Sequence, residues 1–269
     1  MRLRHHVKQT LVSMGVYPVV FRTREWLRCV MAEKPPEKDE HGIPIPPPYL
    51  MSVVVGDANW KSFLSSGERL IALFTEILAR NKIDIGQVKR VLDFGCGCGR
   101  LIRHLPRRTK AKLAGCDYND KLVSWCSGNL SIAEFKTNQL TPPCDYPDGA
   151  FDLIYLYSVF THLDQDTQGK WLQEFNRMLA PGGHIVLTFH DETFLKRCQY
   201  PEMTKQKLDA SGFAVENQIL EGSNLMATFQ TREYVGREFA KIFELIEIVP
   251  GHSTSATSQA IVLMKKRAL

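Results

Sequence analysis

No stretch of the chain approaches the roughly 18 consecutive apolar residues that a bilayer-spanning helix needs, so the sequence argues for a soluble protein. A disulfide framework is missing as well. Seven cysteines among 269 residues are an odd number at irregular spacing, which points to a reducing, cytoplasmic compartment. Zinc-type spacing is absent: Cys96 and Cys98 have no second Cys or His pair to complete a site, and small thiols in a tight turn account for them better. A secretory signal is not expected, because the apolar stretch from Leu11 to Phe21 is broken by Gly15 and Pro18 and runs into Arg22 and Arg24.

What charge there is gathers at one end. The formal net charge is +5, and residues 1–30 hold Arg2, Arg4, Lys8, Arg22, Arg24 and Arg28 against Glu25 alone, which leaves the remainder neutral. A nucleic-acid surface would spread a basic stripe over the folded domain, so no nucleic-acid partner is expected. The arm suits a solvated lead-in helix, or contact with an anionic membrane periphery or a protein partner. Pro35, Pro36, Pro44, Pro46, Pro47 and Pro48 exclude helix over residues 33–48 and favour an extended linker. Pro46-Pro47-Pro48-Tyr49 also has the form of a ligand for aromatic-lined modules. The sequence therefore divides into an arm and linker, 1–48, and one catalytic-sized domain, 49–269, whose 44% hydrophobic composition can bury a full core.

Within that domain the periodicity alternates. Apolar positions at helical spacing from Trp60 to Asn81 predict one or two covering helices, with a break at Ser65-Ser66-Gly67. Short apolar runs then predict strands at Arg90–Phe94, Lys112–Cys116, Ala133–Thr137, Phe151–Tyr157 and His184–Phe189. Helical stretches start at Arg100 and Asn119 and run from Thr167 to Leu179. Regular alternation means βαβ units and a parallel sheet. Pro181-Gly182-Gly183 turns the last helix into its strand. Residues 191–223 look irregular and follow a strand's carboxyl end, where such sheets place ligand loops, so they read as a substrate-side insertion. A helix at Thr231–Ala240 and strands at Phe243–Val249 and Gln259–Lys265 close the sheet as a hairpin.

The chemistry concentrates at Asp93-Phe94-Gly95-Cys96-Gly97-Cys98-Gly99-Arg100, a buried strand running into a turn with three alternate glycines. Gly95, Gly97 and Gly99 let the backbone approach a ligand closely. A nicotinamide fingerprint would need glycine where Arg100 stands. Asp93 would repel a pyrophosphate but suits a ligand bearing an ammonium group. Asp117, ending the next strand, is placed to accept both hydroxyls of a ribose, or to cap the helix that follows, and Tyr118 beside it is placed to pack on a nucleoside.

Taken in order, Asp93 with its turn, Asp117, Phe151-Asp152-Leu153-Ile154-Tyr155 and Glu174 through Gly183 resemble the class I S-adenosylmethionine-dependent methyltransferases, over about Phe63 to Lys266. Ser158-Val159-Phe160-Thr161-His162-Leu163 looks like a bacterial small-molecule subgroup of them. The resemblance implies a Rossmann-like, seven-stranded, mostly parallel sheet with helices on both faces and an antiparallel last strand. It also implies S-adenosyl-L-methionine as cofactor, with Cys96 in the turn, Tyr157 and Ser158 near the methionine part, and Asn138 and Gln139 near adenine, where the family often has an acidic residue.

Methyl transfer is an in-line displacement in which positioning does most of the work. A hydroxyl acceptor gains from a base, for which His162 and His190 are the candidates, each following a strand end, with a structural role for either the competing reading. Phe160, Phe189 and Tyr200 are candidates for an apolar acceptor pocket that also favours a sulfonium, or for core. No Asn-Pro-Pro-Tyr motif follows the fourth strand, which favours oxygen methylation of a small molecule, and no acidic cluster suggests a metal. Two rival readings stand: a cofactor-binding scaffold without turnover, and a nicotinamide-dependent oxidoreductase.

Overall fold

The computed structural model describes residue 23 and residues 28–197, 201–216, 221–222 and 226–267. Arg2, Arg4, Lys8, the Leu11–Phe21 stretch, Arg22, Arg24 and Glu25 lie outside the described residues, as does Tyr200. Two compact units are present, Met1–Ser66 and Gly67–Leu269. In the first, Asp39 accepts from the backbone N–H groups of His41 and Ile43 at 2.9 and 3.0 Å, folding the proline-rich stretch into a turn closed by a Lys38–Pro44 bridge. Pro48 then opens α1 (Pro48–Val55), where a missing N–H costs nothing, and Gly56 ends it in the left-handed region.

The second unit is built on a seven-stranded sheet. Its strands are β1 (Arg90–Phe94), β2 (Lys112–Asp117), β3 (Glu134–Thr137), β4 (Phe151–Leu156), β5 (Leu179–Phe189), β8 (Phe243–Val249) and β9 (Ala260–Lys266), while β6 (Phe213–Glu216) and β7 (Ala227–Gln230) pair separately. The sheet order is β3-β2-β1-β4-β5-β9-β8. Strands β1 to β5 run parallel, and β9 inserts antiparallel to both β5 and β8, as the family resemblance implied. The central strands are apolar on both faces because both are covered. Leu92, Phe94, Ile154, Leu156, Ile185 and Leu187 enter one core with Trp171 and Phe175 of α4 (Gln165–Met178). Val91, Leu153, Tyr155 and Val186 enter the other with Leu70, Ile71, Phe74 and Ile77 of α2 (Trp60–Arg80).

Three local expectations change. Helix α2 runs unbroken through Ser65-Ser66-Gly67; Gly67 is there because the carbonyl oxygen of Arg100 occupies the space a Cβ would take. The helix expected from Arg100 shrinks to a 3₁₀ segment, Ile102–Arg107, since Pro106 lies inside it. Residues 191–223 are not irregular where described: they form α5 (Glu192–Arg197), α6 (Glu202–Ser211) and β6. α3 (Asp120–Asn129) and α7 (Arg232–Phe239) fall where the periodicity placed them. No helix among the described residues is long and apolar enough to cross a membrane.

Gly67→Val should lower the melting temperature by the equivalent of about 1–3 kcal/mol, the usual cost of overpacking, because a rigid backbone carbonyl must move. Thermal denaturation checks this, and an unchanged midpoint would show that the helix can shift away at no cost.

Candidate active site

The turn after β1 is held by the end of β2. Gly95 and Cys96 both donate their N–H groups to the Cys116 carbonyl at 2.8 and 2.9 Å, and the Gly97 N–H donates to Asp117 Oδ2 at 2.9 Å. Gly95, Gly97 and Gly99 take φ of +74°, +56° and +77°, angles that side chains resist. The thiols of Cys96 and Cys126 close on the Gly97 carbonyl at 3.6 and 3.5 Å. Hydrogen bonding between these two thiols, then burial, pushes Cys96 well above the ordinary thiol range, so it stays a neutral, packed thiol.

Two carboxylates flank the turn. Asp93 is 3% exposed and its Oδ2 is buried without a hydrogen-bond partner. Burial drives its pKa up to about 7; the neighbouring Tyr155 hydroxyl and Arg100 pull it down, while Asp117 adds repulsion. The Tyr155 hydroxyl lies near enough to act on Asp93 but is itself without a hydrogen-bond partner by distance and angle. Asp117 is also raised by burial, opposed by the N–H groups of Asn119 and Gly97. Its Oδ1 accepts from Asn119 N at 2.9 Å. Helix capping falls to Asn119, whose side chain accepts from Lys121 N, so Asp117 is not the cap of α3.

The next two strand ends complete the rim. Asn138 hangs from β2, its N–H on the Asp117 carbonyl at 3.1 Å, and its buried Oδ1 has no partner. Gln139 and Tyr118 are exposed. Beyond β4, Ser158 takes a strained φ of +59°, stabilised from three sides: its N–H donates to Thr188 Oγ1 at 2.8 Å, and its hydroxyl meets Thr161 Oγ1 at 3.2 Å and Gln259 Nε2 at 2.9 Å. The Tyr157 hydroxyl meets Thr257 Oγ1 at 3.1 Å, and the Arg100 guanidinium stacks on the Tyr157 ring, 4.9 Å from its centroid. Thr188, Thr257, Gln259 and Arg100 were not named as site residues by the sequence; Thr188 reaches the site from β5, and Thr257 and Gln259 from the loop before β9, all far along the chain.

The two histidines separate. His162 Nδ1 lies 2.7 Å from the Met226 carbonyl, which can only accept, so Nδ1 carries the proton and Nε2 is left with its lone pair. Burial lowers its pKa. His190 is sealed: Phe194 stacks on it at 3.9 Å and Phe229 lies at 5.5 Å. Burial first, then His162, depresses it to about 3. Phe160 and Phe189 do not form an acceptor pocket; both are buried in the central core, Phe160 against Phe175.

The Asp93 shift has a stability consequence. Unfolded, the carboxyl releases its proton near pH 4; folded, it holds it until about 7, so the folded state is penalised progressively between those values and fully above them, by on the order of 4 kcal/mol. Asp93→Asn should therefore melt higher than the parent at pH 8, with the gap closing by pH 4. A gap independent of pH would refute the assignment.

Comparison with known proteins agrees with this geometry. A family model described as a methyltransferase domain matches residues 64–240, well over half the chain. Curated relatives include tRNA N(3)-methylcytidine methyltransferase trm140 of Schizosaccharomyces pombe, 25% identical over 72% of this chain and 62% of its own length. Phosphoethanolamine N-methyltransferase of Plasmodium falciparum is 27% identical over 46% of this chain and 48% of its own. The chain thus spans less than two thirds of the length of these relatives. Among solved structures, N-methyltransferase NodS of Bradyrhizobium japonicum in complex with S-adenosyl-L-homocysteine aligns with a TM-score of 0.52 at 18% identity, over 81% of this chain and 97% of that one, a likeness of fold. The sheet order with its inserted antiparallel strand, the glycine turn stitched to an acidic strand end, and the family match agree: the chain belongs to the class I S-adenosylmethionine-dependent methyltransferases.

Proposed function

We propose that this protein transfers a methyl group from S-adenosylmethionine to a hydroxyl of a small-molecule acceptor, with residues 49–269 as the catalytic domain. The observation that carries the acceptor chemistry is the 2.7 Å contact between His162 Nδ1 and the Met226 carbonyl.

The residues present fit the cofactor. Asp93 Oδ2 and Asn138 Oδ1 are buried acceptors left without partners, a costly state that a ligand's donors would relieve. Asp93 suits the ammonium group. Asp117, with each oxygen already engaged by one backbone N–H, keeps further lone pairs for ribose hydroxyls. Half-exposed Tyr118 offers its ring to the nucleoside, with Asn138 and Gln139 toward adenine. Tyr157 and Ser158 face the methionine part. Bound there, the cofactor supplies a methyl group already activated as a sulfonium.

The chain's own contribution is then positioning and proton handling. His162 is neutral at pH 7 because burial lowers its pKa, so Nε2 accepts a proton without first losing one. The Met226 carbonyl fixes the ring's tautomer, and the imidazolium that forms keeps that bond. His190, held near pKa 3, cannot share the charge and serves as packing behind the site. Glu221 and Gly222 fasten the insertion over this corner: Glu221 Oε1 accepts from Asp164 N at 2.9 Å and Gly222 N donates to the His162 carbonyl at 2.8 Å. A small molecule is favoured over nucleic acid because the excess cations lie in residues 1–30 and the rest of the chain is neutral. That basic arm is left for contact with an anionic surface or partner.

Three outcomes follow. Labelled methyl transfer into a cell extract should place the label in the small-molecule fraction as a base-stable ether; label in RNA would overturn the acceptor class. His162→Ala should lower kcat by about 10²-fold or more with cofactor affinity within twofold, and unchanged turnover in a folded variant would remove the base. Asp117→Ala and Gly97→Val should each weaken S-adenosylhomocysteine binding at least tenfold by calorimetry, the first by losing charge-assisted hydrogen bonds, the second by forcing a side chain into a left-handed angle. Parent-like affinity in both would remove the site.

A further inference from the structure

Six free cysteines lie among the described residues, and the methyl transfer above uses none of their thiols. Two of them form a pair that the fold holds ready for oxidation. Cys116, near the end of β2, is fully buried and stands in register between Phe94 of β1 and Lys136 of β3. Cys144 lies in the loop between β3 and β4, 6% exposed, with Pro143 and Asp145 exposed on either side of it. The two thiols meet, the Cys116 S–H donating to the Cys144 sulfur. The loop is pinned at this residue: the Cys144 N–H donates to Glu174 Oε1 at 2.8 Å, and its carbonyl accepts from Arg177 Nη2 at 3.2 Å.

The surroundings give the two sulfurs different roles. The hydrogen bond from Cys116 is the main cause that lowers the Cys144 pKa, and the Asp145 N–H and the Arg177 guanidinium lower it further, against burial and the Glu174 charge. Burial, then the same hydrogen bond, pushes Cys116 up. Cys144 is therefore the nucleophile, since the thiolate is the attacking form, and Cys116 is the partner thiol beside it. The second contacting pair is poorly placed for this. Cys96 and Cys126 both rest on the Gly97 carbonyl, Cys126 is wholly enclosed, and Cys96 is pushed well above the ordinary thiol range.

We propose that Cys144 and Cys116 are a peroxide-sensitive pair that closes to a disulfide and loosens the glycine turn. The Cys144 thiolate attacks one oxygen of hydrogen peroxide, the O–O bond breaks, and the departing hydroxide takes up a proton as water, which leaves Cys144 as a sulfenic acid. The Cys116 sulfur then attacks the Cys144 sulfur, the S–O bond breaks, and the hydroxide leaves with the Cys116 proton as a second water. Two thiols have lost two electrons, and the peroxide has gained them. In a reducing compartment such a bridge is transient and serves as a sensor. Its link to the turn is the Cys116 carbonyl, which accepts from the Gly95 and Cys96 N–H groups at 2.8 and 2.9 Å. A covalent S–S bond is shorter than a contact between two thiols, so closure draws on the residue whose carbonyl holds the turn, and hydrogen bonds of this kind weaken as they lengthen and tilt. The bridge itself is independent of the cofactor reading above; its effect on cofactor binding rests on that reading.

The full chain, reduced and then exposed to hydrogen peroxide, should lose the mass of two hydrogens, and digestion should yield peptides linked through Cys116 and Cys144. In the oxidised chain, hydrogen exchange at the Gly95 and Cys96 amides should speed up about tenfold, and calorimetry should show S-adenosylhomocysteine held about fivefold more weakly. Dithiothreitol should restore both. Cys144→Ser should bind S-adenosylhomocysteine within about twofold of the reduced parent and show none of these responses to peroxide. A bridge between other cysteines, or oxidation of Cys144 to a sulfinic acid with no bridge, would overturn the pair. Unchanged exchange in a chain that carries the Cys116–Cys144 bridge would overturn its hold on the turn. A reduced chain that binds no S-adenosylhomocysteine would instead overturn the cofactor reading, while linked peptides and amide exchange still decide the pair.

Discussion

The hydrogen bond from the Gly97 N–H to the Asp117 carboxylate, 2.9 Å long, joins the two strand ends on which the site depends. Without it the glycine turn would be a flexible loop, for three residues at positive φ carry a large conformational entropy when unfolded. The Cys116 carbonyl adds two more bonds to the same turn. The β1 turn thus has its shape dictated by β2, and the parallel pairing of Phe94 with Cys116 and Asp93 with Gly115 fixes where that shape sits.

From this constraint the distribution of strain and charge follows. Asp93 is buried at the base of the turn, where desolvation opposes its ionisation, and the chain tolerates that because the rest of β1 is deeply packed: Leu92 and Phe94 lie in one core, Val91 in the other. Ser158 holds an unfavourable backbone angle because Thr188, Thr161 and Gln259 fasten it. Such local costs concentrate where a ligand is to be received, and Asp93 and Ser158 both lie at the carboxyl ends of the adjacent parallel strands β1 and β4.

The segment after β5 shows a different principle. Met226, just before β7, supplies the carbonyl that sets the His162 tautomer, and Thr228 and Gln230 of β7 join a buried polar network with Gln168 and the Phe160 carbonyl. Thr228 Oγ1 donates to Phe160 O at 2.7 Å, so the histidine turn is braced through an element 60 to 70 positions away in sequence. Periodicity made this region look irregular because α5, α6 and β6 are each 10 residues or fewer, too short for a 3.6 or 2.0 repeat to stand out.

Much of this protein was legible in its sequence. The strand runs, the alternation with helices and the acidic glycine turn are local patterns, and a local pattern determines which residues face a core and where the backbone turns. The family resemblance then supplied the inserted last strand. What tertiary structure alone decided were pairings between distant segments: that Asp117 braces Gly97 instead of capping α3, that Phe160 and Phe189 are core and not pocket, that His190 is sealed while His162 keeps a free lone pair, and that Arg100 stacks on Tyr157. Those outcomes depend on which side chains compete for one small volume, and a one-dimensional pattern contains no record of that competition.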